Sequence, residues 1–348
     1  MNPTRRKTPV AGNAFHSTPI GLALFCAMAI FATLAIMSSD ACAQGAKAAA
    51  SAFPSKPLRI VVPFSAGGIA DLSARTVAEH MSRTLGQPVV IDNKPGAGGV
   101  VAAETVAKGE ADGHALLLMS NANAISQSLF KSLPYDTMRD FAPVGILGTF
   151  DLVIVAAPGT KLRSFDDLLR YARASPGKLN IGTINIGSTQ HLSAELFKST
   201  FRIDAQVVPF NGTPAVISAL RGNQIDVAFE ILGPMLPQIQ SGAVQALALT
   251  GPARDRVLPE TRTVTEQGTP FEVSSWNALA APAKTPPAAV ARLNHALNAA
   301  LADPAVVRRL ADLHVRAQPG TPADAAKLLS AELERWGDVI ARAHIPKQ

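Results

Sequence analysis

The stretch Leu58-Arg59-Ile60-Val61-Val62-Pro63-Phe64-Ser65-Ala66-Gly67-Gly68-Ile69-Ala70-Asp71 organises the rest of the chain. Its first five residues are mostly apolar and β-branched, the pattern of a short buried strand. From Ile69 onward apolar positions recur at helical spacing, which predicts a helix over Ile69–Leu85. Strand, Gly turn and helix follow one another. The first turn of a helix has backbone N–H groups without internal partners and carries the positive end of the dipole. Two glycines let an anion approach that backbone closely. The turn reads either as a carboxylate or phosphate site or as a plain tight connection between strand and helix. Taken alone, it does not decide between them.

The same alternation continues. Strands are expected at Pro88–Asp92 and Ala115–Met119, with a helix over Val100–Lys108 between them. Val144–Gly148 and Leu152–Ala156 read as two strands flanking Phe150-Asp151. A second strand–helix series then begins. It has helices over Phe165–Ala174 (Ser164 as N-cap), Ser188–Ser199 and Thr213–Arg221. Its strands are Leu179–Gly182, Gln206–Phe210, Ile225–Phe229 and Val244–Leu249. One strand near Val273–Leu279 precedes helices over Pro286–Ala302, Pro304–Leu313 and Thr321–Ala343. This layout predicts an α/β protein with a parallel sheet covered by helices on both faces. Two similar halves, with the chain crossing near 150 and again near 250, would bring their Gly turns to opposite sides of a cleft.

The 348 residues, 47% hydrophobic and 17% charged, suffice for two such domains with a large core. Arg5, Arg6 and Lys7 precede an apolar run from Ile20 to Met37, and Ala41-Cys42-Ala43 follows. That order fits a secretory leader over 1–43 with a small-residue cleavage site; an uncleaved membrane anchor is the competing reading. An Ala/Ser-rich linker spans 44–56. Without the leader, 29 basic residues face 25 acidic ones, so the net charge falls from +6 to +4. No basic cluster with interleaved aromatics accompanies it, and nucleic acid is not an expected partner. Cys26 and Cys42 both lie in the leader, which leaves no thiol for a disulfide, a nucleophile or a metal in the mature chain.

A second candidate site mirrors the first: Gly182-Thr183-Ile184-Asn185-Ile186-Gly187-Ser188-Thr189-Gln190-His191. Thr183 and Ser188 add hydroxyls to a helix entry, and Ser188 also suits the N-cap. Ser188 and His191 are three residues apart and could share a helical face. That is the basis of an alternative reading as a secreted hydrolase, without a Gly-x-Ser-x-Gly elbow or an evident acid partner. The seven histidines show no metal-ligand spacing, and neither Gly turn has the ending of a phosphate loop. No cofactor or metal is expected. Ser120, Asn121, Phe210, Asn211 and Glu230 sit at or near predicted strand ends, where they could reach the cleft. Trp276 reads as core.

From Pro57 onward the chain resembles the Bug-type (TctC-like) receptors, extracytoplasmic solute-binding proteins of tripartite tricarboxylate transporters. The resemblance rests on separated blocks in order: Lys56–Phe64 with Gly67, Gly68 and Asp71; Asn93–Gly99; Ala111–Leu117; and Ser175–Leu179. Gly187, Ser188, His191 and Leu192, then Val208–Phe210 with Gly212, and Trp276 with Ala281-Pro282 complete them. It implies a hinged, type II-like periplasmic binding fold with two domains, each a sheet flanked by helices, and a ligand cleft between them. The first domain would comprise 57–149 and 251–348, the second 150–250.

It further implies a small carboxylate held largely by backbone N–H groups and ordered water from two facing loops. Here those loops would be Phe64, Ser65, Ala66, Gly67, Gly68 and Asp71 on one side, and Thr183, Gly187, Ser188 and His191 on the other. The family commonly has Ser and Gly where Thr183 and Asn185 stand, and Asp at the position of Glu230. Asn tolerates left-handed backbone, so the turn is expected to survive, while ligand size is expected to differ. The implied role is that of an exported, monomeric periplasmic receptor rather than an enzyme, with permease subunits as its partners. A ligand sensor for a signalling protein would use the same pocket.

Overall fold

The computed structural model describes residues 53–342 and 345–348; the leader expected over 1–43 and residues 44–52 of the expected linker lie outside them. Strand β1 (Leu58–Val62) pairs in parallel with β2 (Val89–Asn93) and with β3 (Ala115–Ser120). In the second half, β5 (Leu179–Ile184) pairs in parallel with β6 (Ala205–Phe210) and β7 (Val227–Ile231). Between these sets run two long strands, β4 (Phe141–Ala156) and β9 (Ser274–Pro282), antiparallel to their neighbours. The order is β2-β1-β3-β9-β4-β7-β5-β6, with β8 (Gln245–Leu249) and β10 (Arg316–Ala317) also on β4. The expected wholly parallel sheet is therefore corrected to two mixed sheets, because the chain returns through each half on β4 and β9.

The two strands expected at 144–148 and 152–156 are one strand of 16 residues. Its first part pairs with β9 as far as Asp151, opposite Ser274, and from Leu152, opposite Ile231, it pairs with β7. The chain crosses between sheets at that peptide. Asp151 is pinned there by the Ser274 hydroxyl at 2.7 Å and by Arg316, whose Nη1 lies 2.8 Å from Oδ2. The second crossing is at Thr250: its N–H donates to Leu152 O at 3.0 Å, and its hydroxyl donates to Val273 O at 2.7 Å. Pro54–Gln348 forms one compact unit across both crossings.

The helices follow from side-chain periodicity. Helix α1 (Ile69–Leu85) buries Ile69, Ala70, Ala74, Val77, Ala78 and Met81, an apolar stripe at 3.6-residue spacing. Helix α2 (Val100–Ala107) packs on β3. Helix α3 (Asn121–Leu129), not anticipated, starts directly at the end of β3, where Ser120 and Asn123 form a reciprocal capping box. Helix α4 (Phe165–Ala174) is capped by Ser164, whose hydroxyl accepts from Asp167 N–H at 3.1 Å. Helices α5 (Thr189–Phe201), α6 (Thr213–Arg221) and α7 (Leu232–Gln240) follow β5, β6 and β7. Helices α8 (Pro287–Ala302), α9 (Pro304–Asp312) and α10 (Pro322–Arg342) complete the chain. Helix α10 buries Ala325, Leu329, Glu332, Trp336 and Ile340 along one face. Trp336 donates from its indole to Glu332 at 2.8 Å, which satisfies both buried polar groups. Trp276 is in the core, as its sequence context suggested.

Candidate functional site

Strands β1, β3, β5, β6 and β7 each end at the N-terminus of a helix or in a loop that enters one, and these ends meet at one cavity. Phe64, Ser65 and Gly68 line it from the β1–α1 loop, and Ser120 lines it from the end of β3. Asn185, Thr189 and Gln190 face it from the β5–α5 turn; Gly212 and Thr213 do so from the entry to α6. Ser275 and Asn277, two apart on β9 and so on one face of the strand, contribute from the other sheet. Phe150, Ile184 and Ile231 supply apolar wall. The water-accessible volume is about 40 Å³, space for roughly three waters.

The cavity is small because the two sides touch. Thr189 and Ser275 hydroxyls are 2.9 Å apart across it. At one lip, a Cβ added to Gly212 would stand 3.3 Å from Ser65 Cβ. At the other, a Cβ on Gly187 would stand 3.3 Å from Gly98 Cα. Gly187 (φ +83°) and Gly212 (φ +95°) both have backbone that L side chains rarely adopt. Asn185 is not left-handed; Gly187 takes that conformation instead, so the turn survives by a different residue from the one the sequence suggested.

Among the described residues, none of the lining side chains is charged. What the cavity presents is hydroxyls, amides and helix N-termini. Helices α1 and α6 begin at Gly68 and Gly212, with no side-chain oxygen capping their first amides. Gly68, Ile69 and Ala70 line the cavity at α1, as do Gly212 and Thr213 at α6. A carboxylate there would meet partial positive charge and N–H donors while being neutralised by no cation.

Other residues singled out in the sequence hold the site rather than line it. Asp71 accepts from Gly67 N–H at 3.0 Å and from Arg75 Nε at 3.0 Å, and so braces the first loop. Burial opposes its ionisation, but the bonds from Arg75 and Gly67 prevail and keep its carboxyl below the usual value. Ala66 and Gly67 are exposed on the outer side of that loop. Asn121 donates to Ser274 O at 3.2 Å, and Thr183 donates to Ile184 O at 3.0 Å. Phe210 and Asn211 face a neighbouring cavity.

Ser188 caps α5 by accepting from His191 N–H at 3.1 Å, and its hydroxyl turns back to Ile184 O. The His191 ring is not bonded to Ser188, and its Nδ1 is buried without a hydrogen-bond partner. Burial lowers its pKa. Neither residue lines the cavity. The hydrolase alternative is thereby overturned: the serine and histidine spaced for it are joined only by a helix cap.

Glu230 is the unusual group. The strand containing it runs two residues further than expected, so it sits inside β7 and is fully buried. Its Oε2 accepts from Ile231 N–H at 2.9 Å, and from Gln190 and Thr213, both at 3.3 Å. Its Oε1 has no partner. Burial, opposed only by those three bonds and by no neighbouring charge, pushes the carboxyl up to about 7. It lies directly behind two residues of the cavity wall.

Sequence reasoning missed Thr189, Gln190 and Thr213 by one or two positions, having weighted the caps over the first helical turn that follows them. Ser275 and Asn277 carried no local signal; only the antiparallel return of β9 delivers them.

Comparison with known proteins follows the same lines. A family profile described as "Tripartite tricarboxylate transporter family receptor" matches residues 73–345. Protein BugT of Bordetella pertussis is 35% identical over 298 residues, covering 85% of this chain and 91% of BugT. The solved structure of the periplasmic binding protein BugD superposes with a TM-score of 0.81 at 31% identity, covering 85% of this chain and all of that one. MatC from Rhodopseudomonas palustris, solved with bound malate, gives a TM-score of 0.79 at 34% identity, covering 83% and 100%. These relatives are binding proteins rather than enzymes.

Proposed function

The chain belongs to the tripartite tricarboxylate transporter receptor family, and from that premise we propose that it captures a small carboxylate and delivers it to a membrane permease. The observation that carries this reading is the cavity's chemistry. Helix N-termini and neutral donors converge on a space with no charged side chain lining it. Such a site favours an anion through amide dipoles and neutral donors. The malate bound to MatC is a ligand of this class.

Capture works by closure. The chain passes between its sheets at Asp151/Leu152 and again at Thr250, and small backbone changes there would part the lips at Gly212 and Gly187. A ligand with contacts on both sides binds the closed form better and shifts the population toward it. The protein acts as a monomer in the periplasm, to which the leader over 1–43 directs it.

Mature protein titrated with a panel of mono-, di- and tricarboxylates and aromatic acids provides the test. A ligand present at a hundred times its Kd raises stability by about 2.7 kcal/mol, visible as a thermal shift. No shift with any member of the panel would overturn the reading. Transport of the identified acid should also disappear when the gene for this chain is deleted and return when it is restored.

A further inference from the structure

A second cavity of about 310 Å³ lies beside the first, and Asn185 belongs to the walls of both. Phe130, Ile186, Pro209 and Phe210 line it, together with Gly98. Ile186, 37% exposed, is one of few large apolar side chains left open to solvent. The far wall is Gln348, held in place because its N–H donates to Leu129 O at 2.9 Å and its O accepts from Lys131 N–H at 3.1 Å. Among the described residues, no charged side chain lines this space either. Its polar side chains are the amides of Asn185, Asn211 and Gln348. The Oδ1 of Asn185 is buried and accepts no hydrogen bond from the described residues.

The first cavity has room for a carboxylate and little more. A larger acid whose carboxylate sits among the helix N-termini must extend elsewhere, and the adjoining space is larger, with Phe130, Ile186, Pro209 and Phe210 in its wall. We infer that the cleft continues past Asn185 into a second compartment, which takes the apolar body of an elongated monocarboxylate. This rests on the receptor reading above. Asn185 marks the boundary, since its side chain belongs to the walls of both spaces. Buried apolar contact with Phe130 and Phe210 then supplies affinity in proportion to the area covered.

Two matched pairs of acids test this by calorimetric titration of the mature protein. 3-Phenylpropanoate should bind at least tenfold more tightly than propanoate, which has the same head without the ring. Hexanoate should bind more tightly than adipate, which has the same length but a second charge. In Ile186→Trp, an exposed substitution that narrows only the second compartment, the affinity ratio of 3-phenylpropanoate to propanoate should fall at least fivefold. A ratio near one in the parent protein, a ratio unchanged by Ile186→Trp, or preference for adipate would each overturn the inference while the receptor reading stands. Failure of every acid to bind would remove both.

Discussion

The hydroxyls of Thr189 and Ser275 lie 2.9 Å apart, one in the first turn of α5 and the other on β9 of the opposite sheet. Both are buried, and both face the cavity. Thr189→Val leaves the Ser275 hydroxyl without this partner, at an expected cost of about 1–3 kcal/mol. Replacing both together, Thr189→Val with Ser275→Ala, should cost less than the sum. A double-mutant cycle in urea should therefore give a coupling of at least about 0.5 kcal/mol. Coupling near zero would mean that the two hydroxyls do not hold the halves to each other.

Gly212 has φ +95° and ψ 165°, a region that only glycine occupies freely. Gly212→Ala should destabilise the fold by about 1–3 kcal/mol through backbone strain. The added methyl also meets Ser65 across the lip. Carboxylate affinity should accordingly fall by more than the stability change alone would bring, measured by comparing titration at a temperature where both proteins are folded. Unaltered affinity would show that this lip does not close on the ligand.

Glu230 gives the protein a pH dependence of definite sign. Its carboxyl is raised in the fold from 4.5 to about 7, so the folded state retains a proton that the unfolded chain loses. Its contribution to stability is full below pH 4.5, is lost progressively as pH rises to about 7, and is constant above that. The loss is on the order of 3 kcal/mol. Glu230→Gln, which cannot ionise, should melt at a higher temperature than the parent at pH 8, and the advantage should shrink toward pH 5. An equal difference at both pH values would count against a titrating Glu230.

Asp71 has the opposite sign. Its depressed carboxyl contributes stability above its usual pKa of 3.8 that is lost as pH falls below it. Asp71→Ala removes the brace on Gly67 N–H and the partner of Arg75. About 1–3 kcal/mol of stability should be lost at pH 7, with a carboxylate affinity lowered because the loop carrying Ser65 and Gly68 is released. Normal affinity in a destabilised protein would assign Asp71 to the fold alone.

Much of this was readable in residue order. The unit Leu58–Val62, Gly turn, Ile69–Leu85 matches the structure at both ends, because strand and helix there each have a full apolar face. Phe165–Ala174 and Thr213–Arg221 match as well, bounded by a serine cap and by glycines. Helix α7 was overlooked: Pro234 and Pro237 punctuate it, and its start follows β7 without a turn. The run 141–156 looked like two strands because Gly148 and Asp151 interrupt its apolar pattern. Its continuity comes from partners far along the chain, β9 on one side and β7 on the other. The site was legible to the same degree. Both Gly-containing helix entries could be found locally, whereas Ser275 reaches the cavity only by long-range pairing. Glu230 could be noticed by its place near a strand end, but its burial depends on two helices that begin over it.

Strand β4 also bears on how such a protein can be recombined. Five residues of it, Leu152–Ala156, are paired on one side to β7, and four of these, Val153–Ala156, on the other to β8, while the preceding eleven belong to the other sheet. A fragment ending at Asp151 would lack the strand that its counterpart needs at its centre, and each piece would present a bare hydrogen-bonding edge prone to self-association. The halves are therefore not cassettes. A chimera that takes its second half from a relative must inherit β4 entire, with the bulged register that fits it to β9, or neither parent's sheet will close.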